Sequence, residues 1–236
     1  MAKRLTDIVL AAVGLLLSLP VIALAAVGIR LSSRGPVLYR GRLVGRDGVC
    51  FTMYKLRTMH CSAGERGSAI TAAADPRVFP FGALLRRLKI DELPQLFNVL
   101  RGEMSLVGPR PEDPEMLRRD PSRERLETLR VPPGLTSPGT LFDYSHGDSI
   151  LGTENAERRY FEELLPLKVA LDLVYVRNAT WMYDAELICR TIWMIIAVGF
   201  GRRSFALPRE FEIARPSAAA SRRADGRPSA LTIAES

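Results

Sequence analysis

The chain is poor in the residues that build metal clusters and disulfide frameworks. Its 236 residues include three cysteines, Cys50, Cys61 and Cys189, and two histidines, His60 and His146. An odd, widely spaced set of thiols argues against a disulfide scaffold and for a reducing compartment. With no CxxC or HxxxH spacing, a Cys/His zinc site is disfavoured as well. Acids are also in deficit: 26 Asp and Glu stand against 33 Lys and Arg, a formal charge of +7. That surplus suits phosphate-rich partners in general, whether nucleic acid, anionic lipid or nucleotide-like substrates. Nucleic acid is the weakest of these readings, because the chain has no aromatic-basic interleaving and no recognisable reading helix. What is present, 47% hydrophobic and 25% charged residues, matches one folded unit with appendages.

Charge is wholly missing from one stretch, "IVLAAVGLLLSLPVIALAAVGI", 22 residues between Asp7 and Arg30. Roughly 20 apolar residues cover a bilayer core as a helix, so the segment is long enough to span. Three readings compete. Lys3, Arg4 and the small-x-small run Ala23-Leu24-Ala25 resemble a cleaved signal peptide. A spanning helix should show charge asymmetry between its flanks, yet Lys3 and Arg4 face Arg30, Arg34, Arg40, Arg42 and Arg46, so both flanks prefer the cytoplasm. A segment that enters, breaks at Pro20 and returns to the same face satisfies both flanks. Ser18 is placed to bond a carbonyl freed by the proline, which lipid cannot do. The spanning and re-entrant readings stay open on these residues.

Downstream, "GPVLYRGRLVGRDGVCFTMYKLRTM" reads as a β-hairpin turning at Asp47-Gly48 and carrying Lys55 and Arg57 near its end. Residues 61–74 are small and polar, as in a flexible loop. "FGALLRRLKI" has helical spacing at Leu84, Leu85 and Leu88, with Arg86, Arg87 and Lys89 forming a basic edge. Residues 112–130 form a charged, solvated helical stretch interrupted at Pro121, and 131–148 form a Pro/Gly-rich loop. Helical runs follow at about 154–176 and 185–200, the second too short to span and suited to a core or interfacial position. From Gly201 the Pro, Ser, Ala and Arg bias indicates disorder.

Between the basic helix and a Gly-Pro-Arg-Pro turn lie two adjacent carboxylates, Asp91 and Glu92. Neighbours on a helix point about 100° apart, so they do not form a facing acid/base pair. "LPQLFNVL" after them is a helix with Pro94 in its first turn and Gly102 as its stop. Asp91 therefore sits beside a helix N-terminus, which favours anions and lowers a carboxylate's pKa. An N-cap with a solvated neighbour is the ordinary explanation of such a pair. Arg110 is harder to explain as ordinary surface, because the proline-flanked turn aims one guanidinium, a geometry suited to phosphate.

"DELPQLFNVLRGEMSLVGPRP", together with "MYKLRTM", "DPRV" and "LDLVYVRN", resembles the bacterial sugar transferase family, the monotopic phosphoglycosyltransferases, over about residues 3–200. The resemblance implies an α+β, mostly helical fold: a re-entrant membrane helix (1–34), then a catalytic domain (35–200) in which a small β-hairpin and amphipathic interfacial helices surround a compact cytoplasmic body. The tail, 201–236, lies outside it. The implied activity is transfer of a sugar 1-phosphate from a UDP-sugar to undecaprenyl phosphate, releasing UMP and starting glycan assembly at the cytoplasmic face of a bacterial inner membrane. In motif position Asp91 matches the nucleophile that forms an aspartyl phosphosugar, and Glu92 matches the second acid of the dyad. Lys55, Arg86 and Arg110 match phosphate-binding positions. Mg2+, with Asp91 as a ligand, is the implied cofactor. One departure stands out: "PPGLTSPG", 132–139, replaces the family's Arg-Pro-Gly-Ile-Thr-Gly, so contacts from that loop are not carried over. His146 and Asp143, beyond it, are read as ordinary loop residues. A catalytically silent, membrane-anchored interaction protein of the same fold is the alternative that this departure leaves.

Overall fold

The computed structural model describes residues 2–61, 70 and 75–214. Most of the expected flexible loop at 61–74, and the tail from 215, lie outside them. The fold is mostly helical with two small sheets. The order is α1 (Ala2–Ser32), β1 (Leu38–Val44), β2 (Cys50–Leu56), α2 (Pro80–Arg87), α3 (Gln95–Arg101), β3 (Ser105–Val107), α4 (Pro114–Arg119), α5 (Arg123–Thr128), β4 (Gly134–Thr136), α6 (Pro138–Leu151), α7 (Ala156–Arg159), α8 (Leu165–Asn178) and α9 (Trp181–Gly199).

Helix α1 is long and apolar enough to cross a membrane by length and composition. The expected break at Pro20 is not seen: the helix continues through it, and the Ser18 hydroxyl donates to the Leu15 carbonyl at 3.0 Å. Most of its middle is bare: Leu16, Leu17, Leu19 and Leu24 are exposed. Both ends are tied to the same body. At the start, Lys3 pairs with Asp184 at 2.6 Å, Arg4 donates to the Val99 and Leu100 carbonyls, and Asp7 accepts from the Ser105 hydroxyl. At the far end, Ala25 and Ile29 pack with Leu56, Phe79 and Leu85, and the Arg57 guanidinium donates to the hydroxyl and carbonyl of Ser33. Asp7, Ser33 and Arg57 are buried, and buried polar groups with partners fix geometry, so these contacts set the helix's register on the domain.

The hairpin forms as expected, with Val44 opposite Cys50, but its loop is longer than two residues. Asp47 and Gly48 do take the left-handed conformation, with φ of 55° and 79°. Asp47 N–H donates to the Leu129 carbonyl at 2.8 Å, which ties the loop to the end of α5. Strands β3 and β4 pair in parallel.

Three expectations need correction. The stretch 138–151 is helix α6, not loop: Ser137 caps it by accepting from Thr140 N–H, and Pro138 fills its first turn. Proline and glycine there mark a helix start and a close contact. A Cβ on Gly139 would come within 2.6 Å of Asp172 Oδ1 and 2.7 Å of the Lys168 carbonyl. The charged stretch 112–130 divides at Pro121 into α4 and α5, but it is not wholly solvated. Arg125 is 1% exposed, paired with Glu112 and donating to the Met116 and Asp120 carbonyls. Finally, the ordered body runs past residue 200. Glu210 and Phe211, on a last helical turn at 210–214, are buried, because Arg190 and Tyr183 bond the Glu210 carboxylate and Phe211 stacks on Phe142.

Candidate active site

Three elements deliver the candidate residues to one cavity of about 1930 Å³. Strand β2 carries Lys55. Its position is set by Asn98 on α3, which is fully buried, donates to the Thr52 carbonyl at 2.7 Å and accepts from Tyr54 N–H at 3.1 Å. Helix α2 ends at Arg87, and Lys89 then takes a left-handed conformation, φ 56°. That reversal turns the chain into a short 3-10 turn, Ile90–Glu92, and buries both carboxylates. A non-glycine residue held there is locally strained, a feature common at functional sites. After α3, Gly102 stops the helix with φ 85°, and the chain returns through β3 to the turn that presents Arg110.

Asp91 is thus not the cap of α3, whose capping residue is Pro94. It lies in the preceding turn, and its surroundings differ from those of its neighbour. Glu92 is ringed by cations: Arg110 at 2.7 Å, Lys55 at 3.3 Å and Lys89 at 3.7 Å. Burial alone would raise its pKa, but Arg110, Lys89 and Lys55 overcome it and hold the carboxyl well below the usual range. Arg110 is correspondingly held more firmly protonated by Glu92. Asp91 goes the other way: burial, then the Glu92 charge, raises its pKa against the pull of Lys55, Lys89 and Arg86. This overturns the expectation that a helix start would lower it. Asp91 Oδ1 is buried without any hydrogen-bond partner; the one other such side-chain atom among the described residues is Gln95 Nε2.

All five sequence candidates, Asp91, Glu92, Lys55, Arg86 and Arg110, line the cavity. Lys55 and Arg110 touch Glu92, whereas the Arg86 Nε donates to the Thr58 hydroxyl at 2.8 Å. Burial lowers the pKa of Lys55 against the opposing pull of Glu92. Asp143 also lines the cavity, paired with Lys168 at 2.8 Å. Sequence reasoning missed that pairing of a half-buried Asp143 with a buried Lys168 because its members come from α6 and α8, and only the packing of those helices joins them. His146 does not line the cavity; it stacks on Phe142 at 5.1 Å. The loop 132–139 packs against the arginine turn, with Ser105 N–H donating to the Pro133 carbonyl and Gly134 N–H to that of Pro109.

No group of three or more His, Cys, Asp or Glu side chains able to hold a metal exists among the described residues. A site for Mg2+ made by protein alone is therefore absent from them. One carboxylate with an unpartnered buried oxygen does suit a hard cation that keeps waters and borrows substrate phosphate oxygens.

The bacterial sugar transferase family model matches residues 1–198. A Bacillus subtilis protein, provisionally named undecaprenyl-phosphate N-acetylgalactosaminyl 1-phosphate transferase, is 49% identical over 112 residues, 48% of this chain and 63% of that protein. The undecaprenyl-phosphate glucose phosphotransferase of Komagataeibacter xylinus is 37% identical over 209 residues, 86% of this chain and 37% of its own length. The UDP-glucose:undecaprenyl-phosphate glucose-1-phosphate transferase of Caulobacter vibrioides is 38% identical over 194 residues, 80% of this chain and 68% of its own. The chain thus spans less than two thirds of the first two of these relatives. It belongs to the bacterial sugar transferase family.

Proposed function

We propose that this family member transfers a sugar 1-phosphate from a UDP-sugar to undecaprenyl phosphate and releases UMP, with Asp91 as nucleophile. One observation carries the reading: a buried, unpartnered carboxylate oxygen on Asp91, in a cavity whose neighbouring acid, Glu92, is already matched by three cations. An Asp91 oxygen attacks the sugar-bearing phosphorus, and the bond from that phosphorus to the bridging oxygen breaks. UMP leaves with the electron pair, and an aspartyl phosphosugar forms. The lipid phosphate then attacks the same phosphorus, producing a lipid diphosphate sugar and freeing the Asp91 carboxylate.

A phosphoryl transition state spreads negative charge over its oxygens, so positioned cations supply most of the catalysis. Lys55, Arg86 and Arg110 take that role, and Glu92 keeps Lys55 and Arg110 in place between turnovers. Mg2+, when bound, would be held by Asp91 together with the diphosphate and would offset the diphosphate charge. Burial and the Glu92 charge raise the Asp91 pKa in the free protein, while Lys55, Lys89 and Arg86 pull toward the ionised, nucleophilic form.

Helix α1 enters the membrane and returns to the face that holds the catalytic body, the cytoplasmic face where UDP-sugars are available. The support is that Lys3, Arg4 and Asp7 at one end and Ile29 and Ser33 at the other contact the same body. A straight helix of this length reaches over 40 Å at about 1.5 Å per residue, so spanning would put its ends on opposite sides of a roughly 30 Å core. After replacement of Cys50, Cys61 and Cys189, single cysteines at the two flanks should label from one side. Labelling from opposite sides would refute the re-entrant path.

The activity test uses membranes containing the protein, UDP-sugars, Mg2+ and undecaprenyl phosphate, with UMP release as the readout. Wild type should release UMP and Asp91→Asn should not. Equal release by both would remove Asp91 from the chemistry, and no release with any UDP-sugar would favour the catalytically silent alternative.

A further inference from the structure

Past residue 198, where the family match ends, the chain continues beside the cavity. Its start is strapped to the end of α2, where the Arg87 guanidinium donates to the Val198 carbonyl at 3.1 Å. Its far end is bolted down. Glu210 is 1% exposed, accepts from Arg190 at 2.6 and 3.2 Å and from the Tyr183 hydroxyl at 2.9 Å, and Phe211 beside it is buried against Phe142. Between strap and bolt, Arg202, Arg203 and Phe205 line the same cavity as Asp91, Lys55 and Arg110.

The guanidinium of Arg202 lies over the Trp193 and Phe205 rings, 5.2 and 5.4 Å from their centroids, and its Nε donates to the Ser204 carbonyl at 3.0 Å. An aromatic cradle of this kind orients an arginine without neutralising it. No carboxylate pairs with Arg202 or Arg203 among the described residues. The loop 132–139, by contrast, contains no charged residue at all. Arg202 and Arg203 are exposed and have no carboxylate partner among the described residues, whereas Lys55, Lys89 and Arg110 in the same cavity are already matched by Glu92, so these two guanidiniums are open to an incoming anion. The Val198 strap and the Glu210 bolt anchor the two ends of the segment that carries them, which shortens the chain left to order on binding.

We propose that Arg202 and Arg203 form an additional phosphate-binding station at the cavity wall, one that lies beyond the family-matched part of the chain. It rests on the reading of function above. The shared chemistry is a phosphate oxygen bound by guanidinium N–H groups, and the source is either the nucleotide diphosphate or the polyprenyl phosphate.

The experiment is steady-state UMP release by full-length wild type and the Arg202→Ala/Arg203→Ala double variant, using the UDP-sugar of a panel that wild type turns over fastest. One arm varies the UDP-sugar at fixed undecaprenyl phosphate, and the other reverses this. We expect KM to rise about tenfold in one arm with kcat within about twofold, the size of a lost charge-assisted contact. A rise with the UDP-sugar assigns the station to the nucleotide, and a rise with the lipid assigns it to the acceptor phosphate. The Arg202→Lys/Arg203→Lys variant should recover part of the loss, which a packing defect would not allow. Unchanged KM in both arms, or a fall in kcat with neither KM moved, overturns the inference while the function stands. Absence of UMP release by wild type overturns both.

Discussion

Asp91 and Glu92 are consecutive, both buried and both on the wall of one cavity, yet one carboxylate is saturated with partners and the other has an oxygen with none. The contrast separates two uses of a buried acid. A carboxylate matched by Arg110, Lys55 and Lys89 acts as a scaffold that keeps cations assembled, and its ionisation is favoured. A carboxylate left unmatched stores unfavourable desolvation that an incoming electrophile or cation can relieve. Pairs of acids whose surroundings push their pKa values apart are how one site divides chemical roles.

Each half of the contrast can be broken separately. The largest expected effect is on activity: Asp91→Asn should lower UMP release by roughly 10³-fold or more, as for loss of a covalent nucleophile. The same variant should melt at or above the wild-type temperature. A carboxyl with a raised folded pKa contributes stability only below its unfolded value and loses it as pH rises, so near neutrality Asp91 is unfavourable and an amide removes that term. Scanning calorimetry at neutral pH checks the direction.

Glu92→Gln should do the opposite to stability. It strips the counter-charge from three cations near a buried position, and breaking a buried pair on one side costs about 3 kcal/mol. A denaturant titration of the purified protein should show that loss. The pH dependence follows the same sign. With its folded pKa depressed, Glu92 contributes stability above its unfolded value, near 4.5, and loses it as pH falls through the lowered folded value. Wild type should therefore weaken in acid more steeply than Glu92→Gln.

The smallest effect concerns Asp172, outside the pair, whose burial raises its carboxyl to about 6 although Gly139 N–H donates to it at 2.9 Å. A raised folded pKa means that its contribution fades as pH climbs through about 6. In Asp172→Asn the melting temperature should change less between pH 5 and 7.5, a window that brackets that value.

Much of this site was legible in the sequence because the decisive residues are close along the chain. Asp91, Glu92 and Arg110 fall within one continuous motif, and Gly102 marked the end of the intervening helix. The surroundings of Asp91 were not legible. A helix start predicts a lowered pKa, but burial depends on the fold around the 3-10 turn and outweighs it. Helix α6 is hidden from a local reading because proline and glycine are common loop formers. Ser137-Pro138 was a usable capping signal, and the reason for Gly139 lies on α8, which no local pattern reveals. The order of 201–214 likewise depends on Arg190 and Tyr183 bonding a glutamate 20 and 27 positions away, contacts that composition averages out.

The role of Asp91 is tested most directly by incubating the purified protein with a UDP-sugar and Mg2+, without undecaprenyl phosphate, followed by acid quench and intact-mass and peptide analysis. The account predicts an adduct of one sugar phosphate on the peptide containing Asp91, absent from Asp91→Asn and discharged when undecaprenyl phosphate is added. Steady UMP release with lipid present, but with no adduct or with the adduct on another residue, would contradict it.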